Sequence, residues 1–348
     1  NAYAAMALPG SQLYKNAVIR GYKLPENYAG YSFHAYNTQP LPTEHLTPGE
    51  ILRFRDDAFT KYHTYPPFLE KIEEKYGKIA KDNIEKMTKI KLKRKVGLKQ
   101  IAKSVRKRIF EFKTKSGKGH LASCLSTVDI LVSMYYDGET SFNHNEDIVI
   151  YSKGHGSPTV YPILVDKGYI KEEELEKYCR PDGMLRLHAD HSIPGCYFVG
   201  GSLGNGIGYA AGLAYGSGKN VYAILGDAEL YEGSVWESLM FIAHHQINNL
   251  HIIVDRNKMG ILGKTEELLK LEPLKEKFES FGFEVCEVNG HNFEELRAAL
   301  SMKDDKPRVI IADAIQGKGV SYMEDVWQYH TIIPKEKELL DIAMKELE

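Results

Sequence analysis

Short apolar runs separated by polar clusters recur between residues 147 and 313. Asp147–Tyr151, Val221–Leu225, His251–Val254, Glu284–Val288 and Arg308–Ala312 each predict a buried strand. Between the second and third runs, Ser234–Gln246 carries Val235, Leu239, Ile242 and Ala243 at helical spacing. Strand, helix and strand over this length form a βαβ unit, which makes the two strands parallel neighbours. Further helices are expected over Val96–Phe112, Ser126–Tyr136, Ile207–Tyr215, Leu271–Phe278 and Pro334–Glu348. The pattern predicts an α/β fold, a parallel sheet flanked by helices.

Residues 1–90 have a different texture. Leu8–Tyr14, Gly30–Phe33 and Gln39–Thr43 are rich in Tyr and Pro and predict loop with short helices. Thr47-Pro-Gly-Glu50 looks like a helix cap, starting a helix over Ile51–His63, and a second helix runs from Pro67 to Tyr76. Lys78–Lys99, densest at Lys89–Lys95, reads as a solvated helix face or a linker. The expected organisation is a mostly helical and loop N-terminal extension, 1–90, followed by an α/β domain, 91–348.

Composition narrows the class. At 348 residues, with 43% hydrophobic and 26% charged residues, the chain is an ordinary globular protein. A net charge of −2 gives no reason to expect nucleic acid or membrane binding. No apolar run approaches the ~20 residues that span a bilayer, and no signal peptide is visible. Cys124, Cys179, Cys196 and Cys286 form no CxxC pair, which suits reduced thiols in a cytoplasm.

The polar clusters carry the candidate chemistry. Gly226-Asp227-Ala228-Glu229 and Asp255-Arg256-Asn257 follow the two strands of the βαβ unit, so both lie at strand carboxyl ends, where open α/β sheets bind ligands. Asp227 and Asn257 offer hard oxygens of the kind magnesium prefers. Two turn formers at strand ends account for the pair equally well.

These residues extend into longer motifs. Gly226-Asp-Ala-Glu-Leu-Tyr-Glu-Gly-Ser-Val-Trp-Glu237 and Val254-Asp-Arg-Asn257 resemble the thiamine diphosphate motif of transketolases. So do Ser116-Gly-Lys-Gly-His120, Ser152-Lys-Gly-His155, Leu187-His188-Ala-Asp190, Gly200-Gly-Ser-Leu-Gly-Asn-Gly206 and Gln316-Gly-Lys-Gly-Val320 through Trp327-Gln-Tyr-His330. The resemblance runs almost unbroken from Ile90 onward. It implies that Asp227, Asn257 and the Met259 carbonyl hold Mg2+, or Ca2+ or Mn2+ in its place. His155, Gly201, Ser202, Leu203, Gly226, Asp227, Ala228, Glu229, Asn257, Ile261 and His330 are implied cofactor contacts. Proton transfer and hydroxyl recognition are assigned to His120, His155, His188 and His330, and Glu232 to a dimer interface. Departures from the family pattern are Ala228 for Gly, Leu121-Ala-Ser123 for Pro-Gly-Gly, Leu187 for Gly, and Thr331 for Gly.

In this family thiamine diphosphate supports transfer of a two-carbon ketol unit between sugars or sugar phosphates. A glutamate of a separate pyrimidine-binding domain is also needed there. The resemblance therefore implies the N-terminal subunit of a split transketolase, inactive alone, self-associating and joined to a pyrimidine-domain subunit in a heterotetramer. Alternatives are a 1-deoxyxylulose-phosphate synthase-like or oxo-acid decarboxylase component, or a non-catalytic scaffold. Leu8-Pro-Gly-Ser11, Pro40-Leu-Pro-Thr-Glu44 and Ile51–Phe59 are similar to the carboxyl-terminal tail of cobalamin-binding radical SAM proteins. Residues 1–123 hold no cysteine for an iron–sulfur cluster, which excludes radical chemistry from this chain.

Overall fold

The computed structural model describes residues 5–22, 24–25, 31, 38–43, 48–88, 97–302 and 305–348. The Lys89–Lys95 tract, the expected boundary at residue 90, the Thr47 cap and all of Gly30–Phe33 but Tyr31 lie outside these residues. The chain divides into two compact units, residues 1–97 and 98–348.

In the first unit, Ser11 caps helix Gln12–Ile19 by accepting from the Tyr14 amide at 3.1 Å. Ala7, Ala17 and Leu41 form a small apolar cluster, with Tyr14, Tyr22 and Leu24 packed on it. Helices Pro48–His63, Pro66–Tyr76 and Lys78–Thr88 follow. The last buries no residue, so the lysine-rich stretch opens as a solvated helix.

The second unit is organised by its strands: β1 Ile148–Tyr151, β2 Val221–Gly226, β3 Leu250–Arg256, β4 Met259–Gly260, β5 Gly263–Lys264, β6 Glu284–Asn289 and β7 Arg308–Asp313. Five of them make one sheet in the order β1-β2-β3-β7-β6, with every pairing parallel. The hairpin β4–β5 stands apart. All six residues of β2 are buried, as a strand covered on both faces requires. Val221, Ala223 and Leu225 pack with helices Asn205–Ser217, Gly233–His244 and Leu274–Ser280. The alternate residues face the second helical layer, where Tyr222 meets Phe142 edge-on and the Tyr151 and Tyr135 hydroxyls bond at 2.8 Å.

The βαβ expectation is met: β2 and β3 are parallel neighbours, and Gly226 pairs with Asp255, so the two strands end level. The helix expected from Leu271 begins at Leu274. Pro273 sits at its cap, and the Glu272 carboxylate accepts from the free Leu274 amide at 2.8 Å. Among the described residues no helix is long and apolar enough to cross a membrane.

Candidate functional site

Three strand ends are tied together before any ligand is considered. Glu229 is buried in the short helix Ala228–Tyr231 that leaves β2. Its carboxylate accepts from the Ser152 hydroxyl after β1, from the Gly204 amide at 2.9 Å and from the Gly226 amide at 3.2 Å. Burial pushes this carboxyl above its usual range, and those three donors oppose the shift. Glu229, an implied cofactor contact, braces the protein through these three bonds. Beneath it, the Lys153 ammonium donates to Asp255 Oδ2 at 2.7 Å and to Ser123 O, Ser126 Oγ and Thr127 Oγ1 at 2.9 to 3.1 Å.

Asp227 is also buried. Its Oδ1 accepts from the Ala228 amide at 2.8 Å, and its Oδ2 accepts from the Lys258 amide at 2.5 Å and Arg256 Nη1 at 3.0 Å. Burial pushes the Asp227 carboxyl up to about 6, although the Arg256 guanidinium pulls the other way. The Asn257 amide oxygen accepts from the Met259 amide at 3.1 Å. Asp227 and Asn257 therefore each bond one of two successive amides in a single turn, at Lys258, whose φ is +64°. Arg256 also bonds Thr265, Glu266 and Glu272, which fastens residues 265–272 to the same point. Ile261 lies exposed in the hairpin between β4 and β5.

The donor set fits a hard divalent cation. A buried carboxylate whose burial outweighs its guanidinium neighbour gains from a further positive charge, and an amide oxygen faces the same turn. Among the described residues no group of three His, Cys, Asp or Glu is placed to hold a metal, so a cation would draw on amide and carbonyl oxygen besides Asp227. Ala228 starts its short helix without a positive φ, so the side chain in place of glycine costs no backbone strain.

A backbone cradle lies beside Asp227. A methyl group on Gly154 would come within 2.4 Å of the Gly201 amide, so the β1 exit and the glycine-rich turn approach closer than any side chain permits. Gly201 lies on the His188 ring. Ser202 is exposed and Leu203 half-buried in the turn that enters helix Asn205–Ser217. Exposed Glu232 precedes helix Gly233–His244, with no side-chain bond to the helix start, and adjoins Gly204.

The four histidines expected to act together do meet. Ring centroids of His120 and His155 are 4.3 Å apart, His155 and His188 5.0 Å, and His120 and His330 5.2 Å. His120 Nδ1 lies 3.1 Å from the His330 carbonyl. Burial above all holds His120, His155 and His330 down to about 4, helped by neighbouring cations and imidazoles. These rings are accordingly neutral at pH 7, able to accept a proton on one nitrogen and donate from the other. His188 Nδ1 and His330 Nδ1 are buried without a partner. The altered residues after His120 begin helix Leu121–Ser126, all of it buried, and Leu187 packs against Gly119.

Lys153, Asp255 and Arg256 sit inside the quoted motifs, but their pairing across 102 and 29 positions leaves no local signal. Lys113 is fully buried under Gly119 with its Nζ 3.1 Å from the Tyr178 hydroxyl. Its place in an otherwise amphipathic helix gives it no mark in sequence.

Residues 98–345 match the family model described as "Transketolase, thiamine diphosphate binding domain". The chain is 37% identical over 264 residues to an apulose-4-phosphate transketolase subunit from Actinobacillus succinogenes, covering 72% of this chain and 95% of that one. It is 35% identical over 267 residues to 6-deoxy-6-sulfo-D-fructose transketolase subunit SqwG of a Clostridium species, covering 73% and 97%. Among solved structures, the transketolase of Campylobacter jejuni superposes with a TM-score of 0.66 at 28% identity. That match covers 72% of this chain, which spans 42% of the Campylobacter protein.

Proposed function

Because the chain belongs to the transketolase family through its thiamine diphosphate-binding domain, we propose that residues 91–348 are the diphosphate-binding subunit of a two-part transketolase, with residues 1–90 a separate module. Relatives matched over nearly their full length are named as subunits, and their printed substrates are a sugar phosphate and a sulfonated sugar. An anionic ketose is the corresponding substrate here, and a pyrimidine-domain subunit the corresponding partner.

The observation that carries the reading is the convergence of Asp227, the Asn257–Met259 turn and the histidine cluster on one sheet edge. Asp227, Asn257 and the Met259 carbonyl would hold Mg2+, and the Gly154–Gly201 cradle and His155 the diphosphate. Ile261 would give an apolar contact. When bound, thiamine diphosphate supplies the carbon centre that takes up and releases the two-carbon ketol unit. The chain's own part is to hold the imidazoles of His120, His155, His188 and His330 against the sugar, where they move protons on hydroxyl oxygens. Glu232, on the exposed helix start, fits a contact with a second copy.

The scaffold alternative rested on Ala228 and the residues after His120; unstrained backbone and a well-packed helix at those positions favour a working site. Calorimetry of the full chain with thiamine diphosphate and Mg2+, with and without a pyrimidine-domain subunit, tests the proposal. Heat that needs Mg2+ and disappears in Asp227→Asn is expected. Absence of heat under both conditions would refute cofactor binding.

A further inference from the structure

Lys113 lies beneath the histidine wall and takes no part in the proposed reaction. Its side chain is fully buried near the end of helix Leu98–Ser116. The Nζ bonds the Tyr178 hydroxyl at 3.1 Å and lies 5.1 Å from the centre of that ring. Burial pushes the amine below its ordinary value, and the groups that oppose the shift are two sulfurs, Cys124 and Cys179, with no carboxylate of the described residues among them. A buried lysine without a carboxylate gains by giving up its proton, which leaves a free lone pair on nitrogen. Cys124 is fully buried too, on helix Leu121–Ser126, and its thiol is in hydrogen-bond contact with the Lys113 nitrogen. Its Sγ also donates to the His155 carbonyl at 3.6 Å. An amine and a thiol from two helices are thus held together away from bulk water.

We propose that Lys113 and Cys124 form a modification site, an oxidative cross-link in which one oxygen atom bridges the amine nitrogen and the thiol sulfur. One N–H and one S–H bond break, and N–O and O–S bonds form. Dioxygen is the oxidant: one of its atoms becomes the bridge, and the other leaves as water with the two hydrogens. A single inserted atom suits two groups already in hydrogen-bond contact, spanning a gap that a direct nitrogen–sulfur bond would have to close. The link takes the Cys124 hydrogen from the His155 carbonyl and ties together the helices on either side of Gly119 and His120. Excess dithiol reverses it, returning amine, thiol and water.

The test uses the full chain, held in aerated buffer with or without dithiothreitol and digested with trypsin. A link protects Lys113 from cleavage and joins Ile109–Lys115 to Gly119–Lys153. The joined pair should weigh about 14 Da more than the two peptides together, one oxygen gained and two hydrogens lost. Dithiothreitol should abolish it. Cys124→Ser and Lys113→Met should lack it, and Cys179→Ser should keep it. Absence of the joined pair from aerated wild type would overturn the inference. So would a pair about 2 Da lighter than its parts, which is a direct nitrogen–sulfur bond, or Cys124 recovered in a disulfide with Cys179. The readout is a mass, so its failure leaves the transketolase reading untouched.

Discussion

Replacing Lys153 by Met isolates a buried charge interaction beneath the site. The Lys153 and Asp255 side chains are 8% and 0% exposed, and their contact is 2.7 Å. Methionine keeps most of the stem that fills the space beside Gly156 and Gly226, so the loss is one ammonium rather than packing. What remains is a fully buried carboxylate that still accepts from Ser126 Oγ at 2.9 Å, Thr127 Oγ1 at 2.6 Å and Asn257 Nδ2 at 3.2 Å. Breaking a buried pair by removing one partner costs about 3–5 kcal/mol, and those three bonds place this case near the lower end, about 3 kcal/mol. Asp255→Asn in the same chain removes the stranded charge, so the double variant should recover about 1–2 kcal/mol. Both tryptophans, Trp236 and Trp327, lie in residues 98–348, so urea unfolding followed by tryptophan fluorescence reports that unit without interference from the first. A single-variant loss under about 1 kcal/mol, or a double variant no more stable than the single, would refute the reasoning.

Acid should weaken the fold through the histidines. His120, His155 and His330 take protons near 4 when folded and near the ordinary imidazole value of 6.5 when unfolded. Between those values the unfolded chain takes up three protons at these sites, against the one that Asp227, held near 6, takes up in the fold, so the net stability falls as pH drops from about 6.5 toward 4; a urea midpoint that rises on acidification through this window would contradict the burial. Gly154→Ala forces a methyl group to within 2.4 Å of a backbone amide and should cost about 1–3 kcal/mol and weaken thiamine diphosphate binding in calorimetry. Ala228→Gly should leave cofactor affinity unchanged and lower stability by no more than about 1 kcal/mol, read from the same unfolding curves. Tyr209, Tyr215, Met240 and Phe241 are exposed on two packed helices; Phe241→Glu should reduce self-association in sedimentation, and an unchanged profile would remove this face from the interface.

The strands and the level ends of β2 and β3 were legible because parallel strands buried on both faces leave continuous apolar runs, and polar residues that stop such runs mark the edge where ligands bind. The histidine cluster was legible only through its motifs, since nothing local says that His120 and His330 share a wall. Glu229 shows where motif reading stops short: its neighbours in sequence suggest a ligand contact, while its partners Ser152 and Gly204 come from segments 77 and 25 positions away. Arg256 is similar, because its fastening of Thr265, Glu266 and Glu272 depends on how a later loop returns.

The bond from His120 to the His330 carbonyl spans 210 positions. A ribosome that has released the first imidazole must still synthesise nearly the whole sheet before the second arrives. Nascent chains therefore carry strand ends and glycine turns long before the histidine wall is complete. Distance along the polypeptide makes assembly of this cluster a late step in folding, open only to chains extended through His330.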